Sequence, residues 1–108
     1  MRHLLLTLLV TLASADAFAQ DAWPSKPVRL VVPSSPGGGT DALARTIAQG
    51  LTAKSGRPVI VENKAGAGGN IATTSVASAP ANGCTLLVTG NWHNTNMLIY
   101  AKPGYEAR

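Results

Sequence analysis

The chain has 108 residues, 45% apolar and 13% charged, with nine Lys+Arg against five Asp+Glu for a formal net charge of +4. That balance excludes a disordered charged tail, and 11 Gly with 7 Pro in no three-residue period exclude a collagen-like repeat. No apolar run reaches the ~20 residues that span a bilayer. The single cysteine, Cys84, can form neither an internal disulfide nor a multi-thiolate zinc site, and is read as a small buried residue.

Met1-Arg2-His3 supplies a positive start, Leu4 to Ala13 is apolar apart from Thr7 and Thr11, and Ala17-Phe18-Ala19 places small residues at a cleavage site. This three-part pattern predicts a secretory signal peptide over residues 1–19, cut after Ala19. Its removal takes Arg2 and Asp16 together, so the charge balance is unchanged. The basic residues that remain are thinly spread, with no interleaved aromatics, so nucleic acid is not expected as a partner.

After a polar leader from Gln20 to Pro27, Val28-Arg29-Leu30-Val31-Val32 is a short β-branched run that reads as a buried strand. Pro33 to Asp41 is a loop of breakers containing Gly37-Gly38-Gly39. A helical pattern begins at Ala42, with Leu43, Ile47 and Leu51 at four-residue intervals and Ala44 and Ala48 beside them. Thr40 or Asp41 is expected to cap its start and Gly56 to end it. Pro58 to Asn63 is a second strand, Ala65 to Asn70 a second Gly-rich turn, and Ile71 to about Ala79 a small-residue helix. Pro80-Ala81-Asn82-Gly83 is a turn, Thr85 to Thr89 a third strand. Asn91 to Asn96 reads as a polar stretch and Met97 to Tyr100 as a short helix.

Strands that are unalternating apolar runs, separated by helices, predict the α/β class: a parallel sheet with helices on both faces. Right-handed crossovers put both Gly-rich loops at the carboxyl ends of their strands, where such sheets bind ligands. In the first loop the glycines admit close approach, the helix start offers unpaired N–H groups, and Thr40 adds a hydroxyl, which together suit an anion. Asp41 suits capping or orienting the loop better than touching an anion. The alternative is a plain tight turn between strand and helix.

Gly37-x-Gly39-x-x-Ala42 with Glu62 twenty residues on also fits a loose dinucleotide fingerprint. Four residues between strand and first glycine count against it, as does export from the compartment that holds nicotinamide cofactors. No Gly-Lys-Ser/Thr occurs, so a phosphate loop of the Walker type is excluded. His93 has no metal-ligand spacing around it, Ser34 and Ser35 sit in no G-x-S-x-G setting, and no carboxylate pair is placed for acid–base work. Neither catalysis nor a cofactor is expected.

Four ordered segments carry a resemblance: Trp23 to Pro33, Pro36 to Asp41, Val61 to Ile71, and Asn82 to Leu87. With Asn96, Leu98, Tyr100, Lys102 and Tyr105 they resemble the N-terminal part of tripartite tricarboxylate transporter substrate-binding proteins, the Bug receptors. The resemblance implies a periplasmic two-lobed (Venus-flytrap) receptor that captures a small carboxylate between its lobes. It further implies delivery to a membrane permease, or signalling through a sensor. On that basis the expected ligand-binding residues are Ser35, Gly37, Gly38, Gly39, Thr40 and Asp41 in the first loop, then Asn63, Gly66 and Asn70, then Asn91 and His93.

The sequence departs from that family at several points: Ser34 stands where an aromatic is usual, Ala65 where a Pro is usual, and Cys84 where a Tyr is usual. Two lobes of ~100–150 residues each would need roughly three times this chain. Residues 20–108 are therefore expected to be an N-terminal segment of the first lobe, without the second lobe or the return segment. An apolar sheet edge left open would favour association, so a non-functional or partner-dependent fragment is the alternative reading.

Overall fold

Val28–Val32 forms the central strand, β1, in a computed structural model that describes residues 22–106. The expected export signal and its cleavage point lie outside the described residues. Helix α1 (Gly39–Ser55) and strand β2 (Val59–Asn63) follow, and a one-turn 3-10 segment (Ala67–Gly69) leads into α2 (Asn70–Ala77). Strand β3 (Thr85–Leu87) and helix α3 (Trp92–Ile99) complete the described elements. The strands make one parallel sheet in the order β2-β1-β3, with Leu30 level with both Val61 and Leu86.

This order has a mechanical consequence. The chain steps to one side of β1 for β2, then crosses back past β1 for β3. The two crossovers run in opposite directions, and the right-handed rule for parallel strands then puts α1 and α2 on opposite faces. Val28 and Leu30 pack with Ala48 of α1 and with Val59, Val61 and Val88, while Val31 points the other way and is also fully buried. Covered on both sides, β1 contributes Val28, Leu30, Val31 and Val32 to the core, each about 1.5–3 kcal/mol more favourable buried than exposed. The expected parallel α/β sheet is present.

Several details differ from the sequence expectation; among the element ends, β3 stops at Leu87 and not Thr89, and α2 at Ala77 and not Ala79. The sheet-facing side of α1 is Ala44 and Ala48, whereas Leu43 and Ile47 are 56% and 38% exposed. Small residues let the helix lie close to the branched side chains of β1, which decides the facing stripe more strongly than hydrophobicity does. Neither Thr40 nor Asp41 caps α1; both lie within it, and Gly38 is the N-cap. Gly56 does end the helix, at φ 67°, with its N–H donating to the Thr52 carbonyl at 3.0 Å. Strands β2 and β3 are only half-buried because both lie at sheet edges. Finally, α3 begins at Trp92, five residues before the expected start, because packing on the second Gly-rich turn overrides weak local propensity.

Candidate functional site

The carboxyl end of β1 opens into Pro33–Gly38, which turns directly into α1. The first intrahelical bond is Ala42 N–H to the Gly38 carbonyl at 3.0 Å. The N–H groups of Gly39 and Thr40 therefore have no acceptor within the helix, and the positive end of its dipole lies there. Asp41 organises this loop from inside the first turn. Its Oδ2 accepts from Gly37 N–H at 3.0 Å and Arg45 Nε at 2.9 Å, and its Oδ1 accepts from Asn63 Nδ2 at 2.9 Å. Those donors, Arg45 first, then Gly37 and Asn63, hold the Asp41 carboxyl down at about 2. Asn63 Nδ2 also donates to the Ser34 carbonyl at 3.1 Å, tying the end of β2 to the first loop.

The second Gly-rich turn is fastened by α3. Asn96 Nδ2 donates to the Gly68 carbonyl at 2.8 Å and to Asn70 Oδ1 at 3.0 Å. Gly69 caps α2 at φ 92°, a conformation that L side chains rarely adopt. A Cβ there would lie 2.3 Å from Cη2 and Cζ3 of Trp92 and 3.2 Å from Pro33 Cβ, so the indole rests directly on the glycine.

These three segments enclose a cleft of about 380 Å³ lined by Pro33, Ser34, Thr40, Gly66, Gly68, Gly69, Trp92 and Asn96. Its size falls within the range of small-molecule sites. The Ser34 hydroxyl oxygen is buried without a hydrogen-bond partner among the described residues. A larger groove of about 490 Å³ runs between α1 and β2 past Gln49, Thr52 and Val59, along the sheet edge and away from the strand ends where polar groups converge.

Of the residues expected at the site, Thr40 and Gly66 line the cleft directly. Ser35, Gly37, Gly38 and Gly39 form the exposed loop and helix start beside it. Asp41, Asn63 and Asn70 hold the loops together through the bonds above. Asn91 is the exposed N-cap of α3, and His93 is stacked on Tyr105 with ring centroids 4.7 Å apart. From that segment the lining comes from Trp92, which lies between the expected Asn91 and His93, and from Asn96, neither of them among the residues expected to bind. Their four-residue spacing puts them on one helix face, a signal that becomes readable once the helix starts at Trp92.

Glu62, which a dinucleotide site would need for a ribose, is committed elsewhere. It accepts from Arg29 Nε at 2.9 Å and pairs with Lys64 Nζ at 3.2 Å, and these cations, Arg29 foremost, hold its carboxyl below its usual range. Among the described residues, no three His, Cys, Asp or Glu are grouped to hold a metal, and no helix is long and apolar enough to cross a membrane.

The cleft lies at the carboxyl ends of parallel strands beside a helix start, the position where α/β binding proteins hold small anions. Residues 43–108 match the family described as the tripartite tricarboxylate transporter family receptor. The chain belongs to this family.

Within it, the chain is similar to Protein BugT of Bordetella pertussis, 41% identical over 83 residues that make up 77% of this chain and 26% of BugT. The solved periplasmic binding protein BugD matches with a TM-score of 0.74 at 44% identity, over 78% of this chain and 28% of that one. MatC from Rhodopseudomonas palustris, solved with bound malate, matches at 0.70 and 38% identity, over 77% and 29%. The chain spans about 25–30% of the length of the curated relatives it matches.

Proposed function

We propose that residues 20–108 form the opening segment of the first lobe of a periplasmic receptor, exported by a signal peptide cut after Ala19. The receptor captures a small carboxylate and passes it to a membrane permease of the tripartite tricarboxylate type, or reports it to a sensor, without catalysis. The observation that carries this reading is the meeting of the α1 start, Thr40 and Ser34 in one cleft. The malate held by MatC supports a carboxylate as the ligand class.

The chemistry is hydrogen bonding and no more. A carboxylate at the start of α1 accepts from the Gly39 and Thr40 N–H groups and from the Thr40 hydroxyl. The α1 dipole adds attraction, and none of these donors has to be deprotonated or displaced. Asp41 keeps the loop in shape while its own charge is satisfied by Arg45 and Asn63. A second lobe closing over the cleft would exclude water and strengthen each bond.

Titration calorimetry of the full-length protein against malate, citrate, glutamate and nicotinate tests the reading. Saturable heat with at least one of them is expected, and no heat from any at millimolar concentration would overturn it.

A further inference from the structure

The cleft contains one large rigid surface, and its position specifies more than the ligand's carboxylate. The Trp92 ring lies against Gly69, and the Gly90 Cα position lies close beneath its Nε1 edge, where a Cβ would approach to 3.2 Å. His93 meets it edge-on at 6.4 Å and 76°. His93 is itself pinned, stacked on Tyr105 at 14° while the Tyr105 hydroxyl donates to the His93 carbonyl at 2.8 Å. Tyr105, His93, Trp92 and Gly69 thus form a continuous row that ends in the cleft. The rest of the lining is neutral: hydroxyls of Ser34 and Thr40, the Asn96 amide, Pro33, and glycine backbone.

We propose that Trp92 is a specificity-determining residue that selects carboxylates with a flat aromatic skeleton. This rests on the reading of the cleft as a carboxylate site and adds the class of ligand. With its carboxylate at the α1 start, a ring carried on it reaches the preorganised indole and buries apolar area in an offset stack. A flexible aliphatic dicarboxylate gains little from that wall. Its second charge would be moved toward the carbon face of the indole and Pro33, which offer it no hydrogen bond, the indole Nε1–H lying at the Gly90 edge.

The test is calorimetry of the full-length protein with benzoate and succinate as probes, on the unmodified protein and on Trp92→Ser and Trp92→Phe. Benzoate should bind about tenfold tighter than succinate, and Trp92→Ser should remove about that factor from benzoate alone. Trp92→Phe, which keeps a flat ring, should retain most of the preference. Succinate binding as tightly as benzoate in the unmodified protein overturns the inference while leaving the receptor reading intact. Equal loss of both ligands in Trp92→Ser also overturns it, since that marks Trp92 as structural only. If no carboxylate binds at all, the receptor reading fails and this inference falls with it. Should Trp92→Ser fail to fold, the unmodified protein and Trp92→Phe still decide the matter.

Discussion

Asn63 Nδ2 donates to Asp41 Oδ1 at 2.9 Å, joining the last residue of β2 to the first turn of α1. Neither side chain lines the cleft, yet between them they determine its shape. Asp41 restrains Gly37 and Asn63 restrains the Ser34 carbonyl, so the first loop, which carries the cleft donors, is tied to the end of β2.

Asn63→Leu removes both donors of that link and leaves the Ser34 carbonyl and Asp41 Oδ1 short of partners. A loss of about 1–3 kcal/mol in stability is expected, read from the urea midpoint at unchanged m-value. Carboxylate affinity should fall as well, because Ser34 and Thr40 are no longer held in register. An unchanged midpoint would show that the link carries no energy.

The low Asp41 pKa sets a direction for the acid response. The folded state holds the carboxyl at about 2, below the ~3.9 of an unfolded chain, so the unfolded state binds the proton first as pH falls. Its stabilising contribution is complete above about pH 4 and is lost as pH drops toward 2. Thermal unfolding followed by circular dichroism from pH 6 to 2 should show Tm falling in that window. Asp41→Asn should flatten the fall there.

Gly69→Ala introduces a Cβ at φ 92° and 2.3 Å from the Trp92 ring. Strain and overlap together should cost about 2–4 kcal/mol and displace the indole. In a Trp92→Ser background the overlap with the ring is gone, leaving the backbone strain and the 3.2 Å approach to Pro33 Cβ, so the same change should cost about 1–3 kcal/mol. A double-mutant cycle in urea measures the difference; strict additivity would contradict the seating of Trp92 on Gly69.

Thr40→Val keeps the shape of the side chain at the helix start and deletes its hydroxyl. The expected result is about tenfold weaker carboxylate binding with little change in stability, from the loss of one hydrogen bond to a charged ligand. Binding within twofold of the unmodified protein would remove the Thr40 hydroxyl from the site.

Ala48 faces Val28 and Leu30, whereas Leu43 is over half exposed. Ala48→Leu should therefore destabilise by about 1–3 kcal/mol through overpacking, and Leu43→Ala should stay within about 0.5 kcal/mol. The reverse ranking in urea unfolding would restore the Leu43, Ile47 and Leu51 stripe as the buried face.

Read by itself, the sequence determined the order of elements, the parallel α/β class, and the two Gly-rich loops at strand ends. Those properties are local. Val28–Val32 is a branched apolar run bounded by prolines, and Gly56 can end a helix whatever surrounds it. The sequence also marked Thr40, a hydroxyl at a helix start, and Gly66, through the family resemblance. What only the tertiary structure decided is which side chains share a cavity. Ala48 turns inward in place of Ile47 because close approach to β1 requires a small residue. Trp92 and Asn96 reach the cleft because α3 docks on Gly68 and Gly69, more than twenty residues earlier in the chain. Local propensity carries no information about a contact at that separation, so the aromatic wall of the site became visible only when the strands had brought the two segments together.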